Sequence, residues 1–217
     1  DPSPFPDGFM FAFDQLIARS AAQSAVEVGC AEGFLTRRVA GCGCDVTGVD
    51  KSAAAIHTAR EIAERKGAAV RYAAVELSAL PRTLSADLLV CVDLLQHLDD
   101  AEAALKRFAG FRCRFALLAV PDGRRQRLHH LVRGQHLATN GRAPEQPHYW
   151  SPRAFTDLVA QHFAPVSVRR ASGWTLVLAR FPRRSLLPRA RGSSVVELQN
   201  VNATEDSHDR RPSRARH

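Results

Sequence analysis

Glu27, Gly29, Gly33 and Asp50 are the residues whose types and spacing could do chemistry in this chain. They lie in Ala25-Val26-Glu27-Val28-Gly29-Cys30-Ala31-Glu32-Gly33-Phe34-Leu35 and, further on, in Val46-Thr47-Gly48-Val49-Asp50. An apolar strand carrying an acid meets a glycine turn, a helix opens, and a second strand ends in a carboxylate. Parallel strands joined in this way hold a nucleoside beyond their carboxyl ends. Asp50 then stands where a carboxylate can accept hydrogen bonds from two ribose hydroxyls. A dinucleotide fingerprint, G-x-G-x-x-G, would need glycine where Ala31 and Phe34 stand, and no G-x-x-x-x-G-K-[ST] loop occurs. The turn is therefore not built to cradle a pyrophosphate.

Beyond this opening, two histidines could do proton chemistry: His97, in Asp93-Leu94-Leu95-Gln96-His97, and His148, just before the last helix. His97 lies within one turn of Asp93 and is the first candidate general base; His148 is the second. Tyr149 and Trp150 could cap an acceptor with their ring faces. They could equally form a hydrophobic staple for a helix beginning at Ser151.

The elements that must position these residues follow from periodicity. Phe9–Ser20 has Phe11, Phe13, Leu16 and Ile17 at helical spacing and reads as a lid or edge helix. Strands are expected at Ala25–Val28, Val46–Val49, Val70–Ala74, Ala86–Val92 and Phe115–Val120. The fourth is a near-continuous apolar run, as a strand buried on both faces should be. Helices are expected from near Gly33 and from Ser52 to about Lys66, the second with Ile56, Ala59 and Ala63 inward and Gly67 at its end. A further helix follows Asp99 or Asp100 as cap, and Ser151-Pro152 opens the last. Val166–Arg170 and Trp174–Ala179, separated by Ala171-Ser172-Gly173, read as a hairpin. Residues 1–182 form one α/β domain on this reading. From Arg183 the apolar periodicity vanishes, and a disordered basic tail is expected over 183–217.

The pattern E-x-G-x-x-x-G with its downstream acid resembles motif I of the class I S-adenosylmethionine (SAM) methyltransferases. The resemblance covers residues 24–120. It implies a Rossmann-like, seven-stranded, mostly parallel sheet with an antiparallel last strand and helices on both faces. It also implies SAM as cofactor. Carried over, Glu27, Gly29, Ala31 and Gly33 match motif I, with Ala31 in place of a usual glycine. Asp50 matches the ribose-binding acid, with Lys51 beside it. Glu76 stands where the family has Asp near the adenine amino group, and Asp93 lies next to the cofactor's methyl end. Within the family, EVGCAEGFLT with DLLVCVDLLQHL most resembles nodulation-type N-methyltransferases that modify amino sugars, although Gln96 and His97 stand where those enzymes carry tyrosines. The implied activity is methylation of N or O on a small-molecule acceptor. Two alternatives share the fold: an RNA methyltransferase and a non-catalytic SAM-binding domain. Asp93, Gln96, His97 and His148 partly resemble the E-x-x-E-H set of metal-assisted RNA 2′-O-methyltransferases. A neutral Gln96 is, however, a poor ligand for Mg²⁺, and no metal site is expected.

Composition sets the remaining bounds. The net charge is −3 over residues 1–122, +7 over 123–182 and +4 over the tail, together +8. Basic charge thus gathers after the cofactor half, where Arg124, Arg125, Arg127, His129, His130, Arg133 and His136 could meet an anionic acceptor. Nucleic acid is a weaker expectation, since no RNA-binding module is visible. Cys30, Cys42, Cys44, Cys91 and Cys113 are expected as small buried residues in a reducing compartment. The start has the features of no signal peptide, no apolar run is long enough to span a membrane, and a cytoplasmic location is expected.

Overall fold

The computed structural model describes residues 2–123, 125, 143 and 146–182. The basic stretch after Gly123 lies outside them save for Arg125, Ala143 and Gln146 onward, as does the tail from residue 183. Strands β1 (Ser24–Val28), β2 (Asp45–Asp50), β3 (Arg71–Ala74), β4 (Ser85–Val92), β5 (Arg112–Pro121), β6 (Ala164–Ala171) and β7 (Trp174–Arg180) form one sheet in the order β3-β2-β1-β4-β5-β7-β6. β1 pairs in parallel with both β2 and β4, whereas β7 lies antiparallel between β5 and β6. Strand order reverses direction between β1 and β4, which opens a crevice at their carboxyl ends.

Alternation along β4 explains how the sheet is covered. Leu88, Val90 and Val92 join the cluster of α1 (Asp7–Ser20) and α2 (Phe34–Gly41). Leu89 and Cys91 join the opposite cluster, which holds α4 (Ala101–Ala109) and α5 (Pro152–Ala160). α3 (Ala53–Arg65) turns Ile56, Ala59 and Ala63 onto Cys30 and Tyr72, as its periodicity predicts. Each large apolar side chain so buried contributes roughly 1.5–3 kcal/mol.

Caps sit where polar side chains can take orphan amides. Ser52 accepts from Ala55 N at 3.2 Å, Asp100 from Ala103 N at 2.8 Å, and Ser151 from Ala154 N at 3.2 Å. Asp100, and not Asp99, is therefore the cap of α4. Pro152 occupies the start of α5, where its missing N–H costs nothing.

Two expectations need correction. α1 is the edge helix of the two readings and not a lid, packing on β5, β7 and the edge strand β6: Phe9, Phe13, Leu16 and Ile17 are buried, while Phe11 is 67% exposed. Phe11 lies about 200° around the helix from Phe9, so the apolar stripe excludes it. Cys42 is exposed, because it caps α2 at the surface, although the other four cysteines are buried as free thiols. No helix among the described residues is long and apolar enough to cross a membrane.

Candidate active site

The glycine turn is held by the end of β2. Gly29 N and Cys30 N both donate to Val49 O, at 2.8 and 3.1 Å, which carries the β1–β2 pairing past the strand end. Gly29 has φ +79°, and a Cβ there would lie 2.9 Å from Leu94 Cδ2, so the turn is pressed against the residue after Asp93. Ala31 also takes a left-handed φ, +46°, which costs an alanine about 1–2 kcal/mol. Its N–H donates to Asp50 Oδ2 at 2.9 Å, and Ser52 N donates to Asp50 Oδ1 at 2.9 Å. Each carboxylate oxygen keeps a lone pair beyond these bonds. Asp50 is half-buried and Lys51 beside it is exposed.

Glu27 is 3% exposed and takes the hydroxyl hydrogen of Thr36, on α2. Burial pushes its pKa up to about 8, against smaller lowering by Thr36 and Arg37. It lies beneath the turn and not on the open wall of the crevice, since the odd residues of β1 face α2, whereas Val26 and Val28 face the opposite layer. Gly33, the N-cap of α2 with φ +72°, has its carbonyl bonded by the Tyr72 hydroxyl at 3.3 Å. A Cβ on Gly33 would fall 2.2 Å from that hydroxyl. Tyr72 was not singled out in the sequence; its signal was a lone tyrosine in the third strand, facing α3.

At the end of β3, Val75 N bonds Asp50 O at 2.8 Å, setting exposed Glu76 next in line. Glu76, Leu77, Leu98 and Asp99 line part of a groove of about 520 Å³ that continues past Arg82 and Arg107. Two aliphatic side chains with carboxylates at hand suit a flat heteroaromatic ring bearing an amino group.

Asp93 follows β4 with φ +59°, a strained conformation for a residue with Cβ, and its N–H bonds Ala119 O at 3.0 Å. Its carboxylate accepts from the Gln96 amide. Burial raises its pKa, while His97 and the Gln96 bond lower it. Gln96 is 1% exposed, and its Oε1 has no hydrogen-bond partner. Such an orphaned buried acceptor is rare and marks a place where a donor belongs. His97 is exposed at the end of a 3-10 turn, Leu95–His97, and not on the helix that follows.

His148 comes over this turn from the far side. Its N–H donates to Gln96 O at 3.4 Å, its ring Nε2 lies 3.3 Å from Asp99 O, and the ring stacks on Trp150 at 4.8 Å. A carbonyl only accepts, so Nε2 carries the proton and Nδ1 is the free basic nitrogen of the neutral ring. Trp150 packs on Phe155 at 5.8 Å, the hydrophobic staple of α5, and Tyr149 Oη accepts from Ala143 N at 2.6 Å. The crossing depends on Gly123, which bonds Trp150 O at 2.9 Å and where a Cβ would lie 2.6 Å from Tyr149 C.

Among the described residues no group of three or more His, Cys, Asp or Glu stands close enough to hold a metal ion. The residues do fit a SAM-sized ligand. They offer a left-handed glycine turn, a carboxylate with spare lone pairs, an aliphatic and acidic groove, and an unpartnered acceptor beside Asp93.

Comparison with known proteins agrees with this geometry. Residues 26–111 match the model of a methyltransferase domain family. A ubiquinone biosynthesis O-methyltransferase of Methylococcus capsulatus is 33% identical over 90 residues, 41% of this chain and 38% of that protein. One of Cupriavidus pinatubonensis is 32% identical over 95 residues, 43% of this chain and 38% of that protein. The chain thus spans about two fifths of the length of these curated relatives. The N-methyltransferase NodS of Bradyrhizobium japonicum, in complex with S-adenosyl-L-homocysteine (SAH), shares the fold at TM-score 0.64 and 19% identity, covering 84% of this chain and 90% of that one. The magnesium protoporphyrin IX methyltransferase of Synechocystis, with bound SAH, does so at 0.65 and 17%, with the same coverage. Residues 26–111 are thus a methyltransferase domain, and the motif residues and sheet order around them resemble those of the class I SAM-dependent methyltransferases.

Proposed function

We propose that this chain transfers a methyl group from SAM to a nitrogen or oxygen of a small-molecule acceptor, with a sugar or amino sugar as the first class to try. The observation that carries the reading is Asp50. Its carboxylate fixes the turn at Ala31 and the start of α3 at Ser52, and still offers two lone pairs to ribose hydroxyls. When bound, SAM supplies a methyl carbon open to in-line displacement, so the protein's work is chiefly to hold the acceptor in a near-attack pose.

Glu27 is a positioning residue here: through Thr36 it ties β1 to α2 and keeps the turn in place. Asp93, pinned by Gln96, orders the segment next to the reacting methyl. His97 takes the proton from a hydroxyl acceptor; a neutral amine needs no such base. His148, its Nε2 engaged by Asp99, holds the acceptor wall and is the second base candidate.

Calorimetry of the full chain with SAH tests the reading, and saturable binding is expected. Asp50→Ala should weaken it by about 10- to 100-fold, the worth of a charge-assisted hydrogen bond. No heat from the wild type with SAM or SAH overturns the cofactor assignment. An unchanged dissociation constant in a folded Asp50→Ala variant removes Asp50 from the site.

A further inference from the structure

A second pocket, of about 290 Å³, opens at the same edge of the sheet. It is lined by Asp122 after β5, by Arg125, and by Arg170, Ser172, Gly173 and Trp174 of the β6–β7 hairpin. Two hydrogen bonds fix its place: Asp122 N to Gly173 O at 2.7 Å, and Asp93 N to Ala119 O on the neighbouring strand. The hairpin turn is two strand spacings from Asp93, about 10 Å across the sheet.

Ser172 and Gly173 both take left-handed φ, +49° and +84°, as a two-residue hairpin turn requires. With no Cβ on Gly173, the Arg125 side chain lies directly over the turn. Its Nε and Cζ are 3.9 and 4.0 Å from where that Cβ would be. Arg170 comes to the same pocket from β6. Among the described residues neither arginine makes a hydrogen bond or ion pair, whereas the lining carboxylate, Asp122, is 8% exposed and already engaged. Two guanidinium groups brought into one small polar pocket repel unless a counter-charge joins them. Guanidinium forks match carboxylate and phosphate oxygens in both charge and geometry. The pocket has room for such a group.

We propose that Arg125 and Arg170 form an anion subsite that anchors a carboxylate or phosphate of the acceptor. This rests on the proposed transfer reaction. It narrows the acceptor to molecules that carry an anionic group besides the nucleophile.

The test uses the ¹⁵N-labelled full chain, titrated with sodium phosphate and, separately, with sodium benzoate at ionic strength held constant with sodium chloride. Of the two tryptophans, Trp174 lines the pocket and Trp150 does not, so their indole N–H signals give probe and internal control. A Trp174→Phe variant assigns the signals. A saturable shift of Trp174 alone is expected, and the tighter of the two anions identifies the group preferred. Arg125→Ala and Arg170→Ala should each weaken it by about tenfold or more, while Arg169→Ala, on the opposite face of β6, should leave it unchanged. A non-saturating shift with both anions, or one indifferent to Arg170→Ala, overturns the subsite. SAH binding measured on the same samples separates the two failures. Intact SAH binding without an anion response rejects the subsite alone, and absent SAH binding rejects the functional reading.

Discussion

Glu27 is a buried carboxyl with one hydroxyl donor, so its neutral form is the one the fold favours. Its pKa, about 8 in the folded chain against 4.5 for the free side chain, makes the native state bind more protons than the unfolded state between those values. Stability is thus highest below about pH 4.5 as far as this group is concerned, and falls as pH rises toward 8, by at most about 1.4 kcal/mol per pH unit. Asp93, also raised, adds a slope of the same sign. Glu27→Gln should flatten the decline while leaving the Asp93 part. Urea midpoints at several pH values between 5 and 8.5 give the measurement, and equal slopes in both proteins contradict the account. His97 makes a different kind of prediction. On a hydroxyl acceptor, His97→Ala should lower turnover by about 10²–10⁴ with SAH affinity intact. Near wild-type turnover would pass the role to His148, whose free Nδ1 is next in line.

The site is made by elements that meet at one edge of the sheet, and the meeting points are backbone contacts. β1 ends on β2 through Val49 O, β4 ends on β5 through Ala119 O, and β5 ends on the hairpin through Gly173 O. Gly123 lets the segment at Tyr149–Trp150 cross β5 at a distance no side chain would allow. Gly123→Ala should therefore displace the acceptor wall, raising the acceptor KM by severalfold, and leave SAH binding unchanged, because the cofactor half is two strands away. Parallel measurement of KM and SAH affinity decides it. Equal loss of both would mean that the crossing supports the whole edge.

Across the whole molecule, charge and burial divide the work. The cofactor half is slightly acidic and richly cored, and the basic surplus lies beyond residue 122. The tail, residues 183–217, carries no periodic apolar face in its sequence and has little with which to dock. Its removal should shift the melting temperature by no more than a few degrees and leave SAH affinity as it was. A larger fall would show that it packs on the domain. What the amino-acid sequence determined by itself is the order of strands and helices, the turn between Glu27 and Gly33, the helix start at Ser52 and the cap at Ser151. All of these rest on local periodicity, turn chemistry and side chains that reach amides three residues away. Tertiary structure alone decided that Glu27 is sealed under the turn, that Phe9 and not Phe11 enters the core, that Gly123 is a crossing point, and that Arg125 and Arg170 line one pocket. Those facts depend on contacts between segments far apart in the chain, whose distances only the closed sheet fixes.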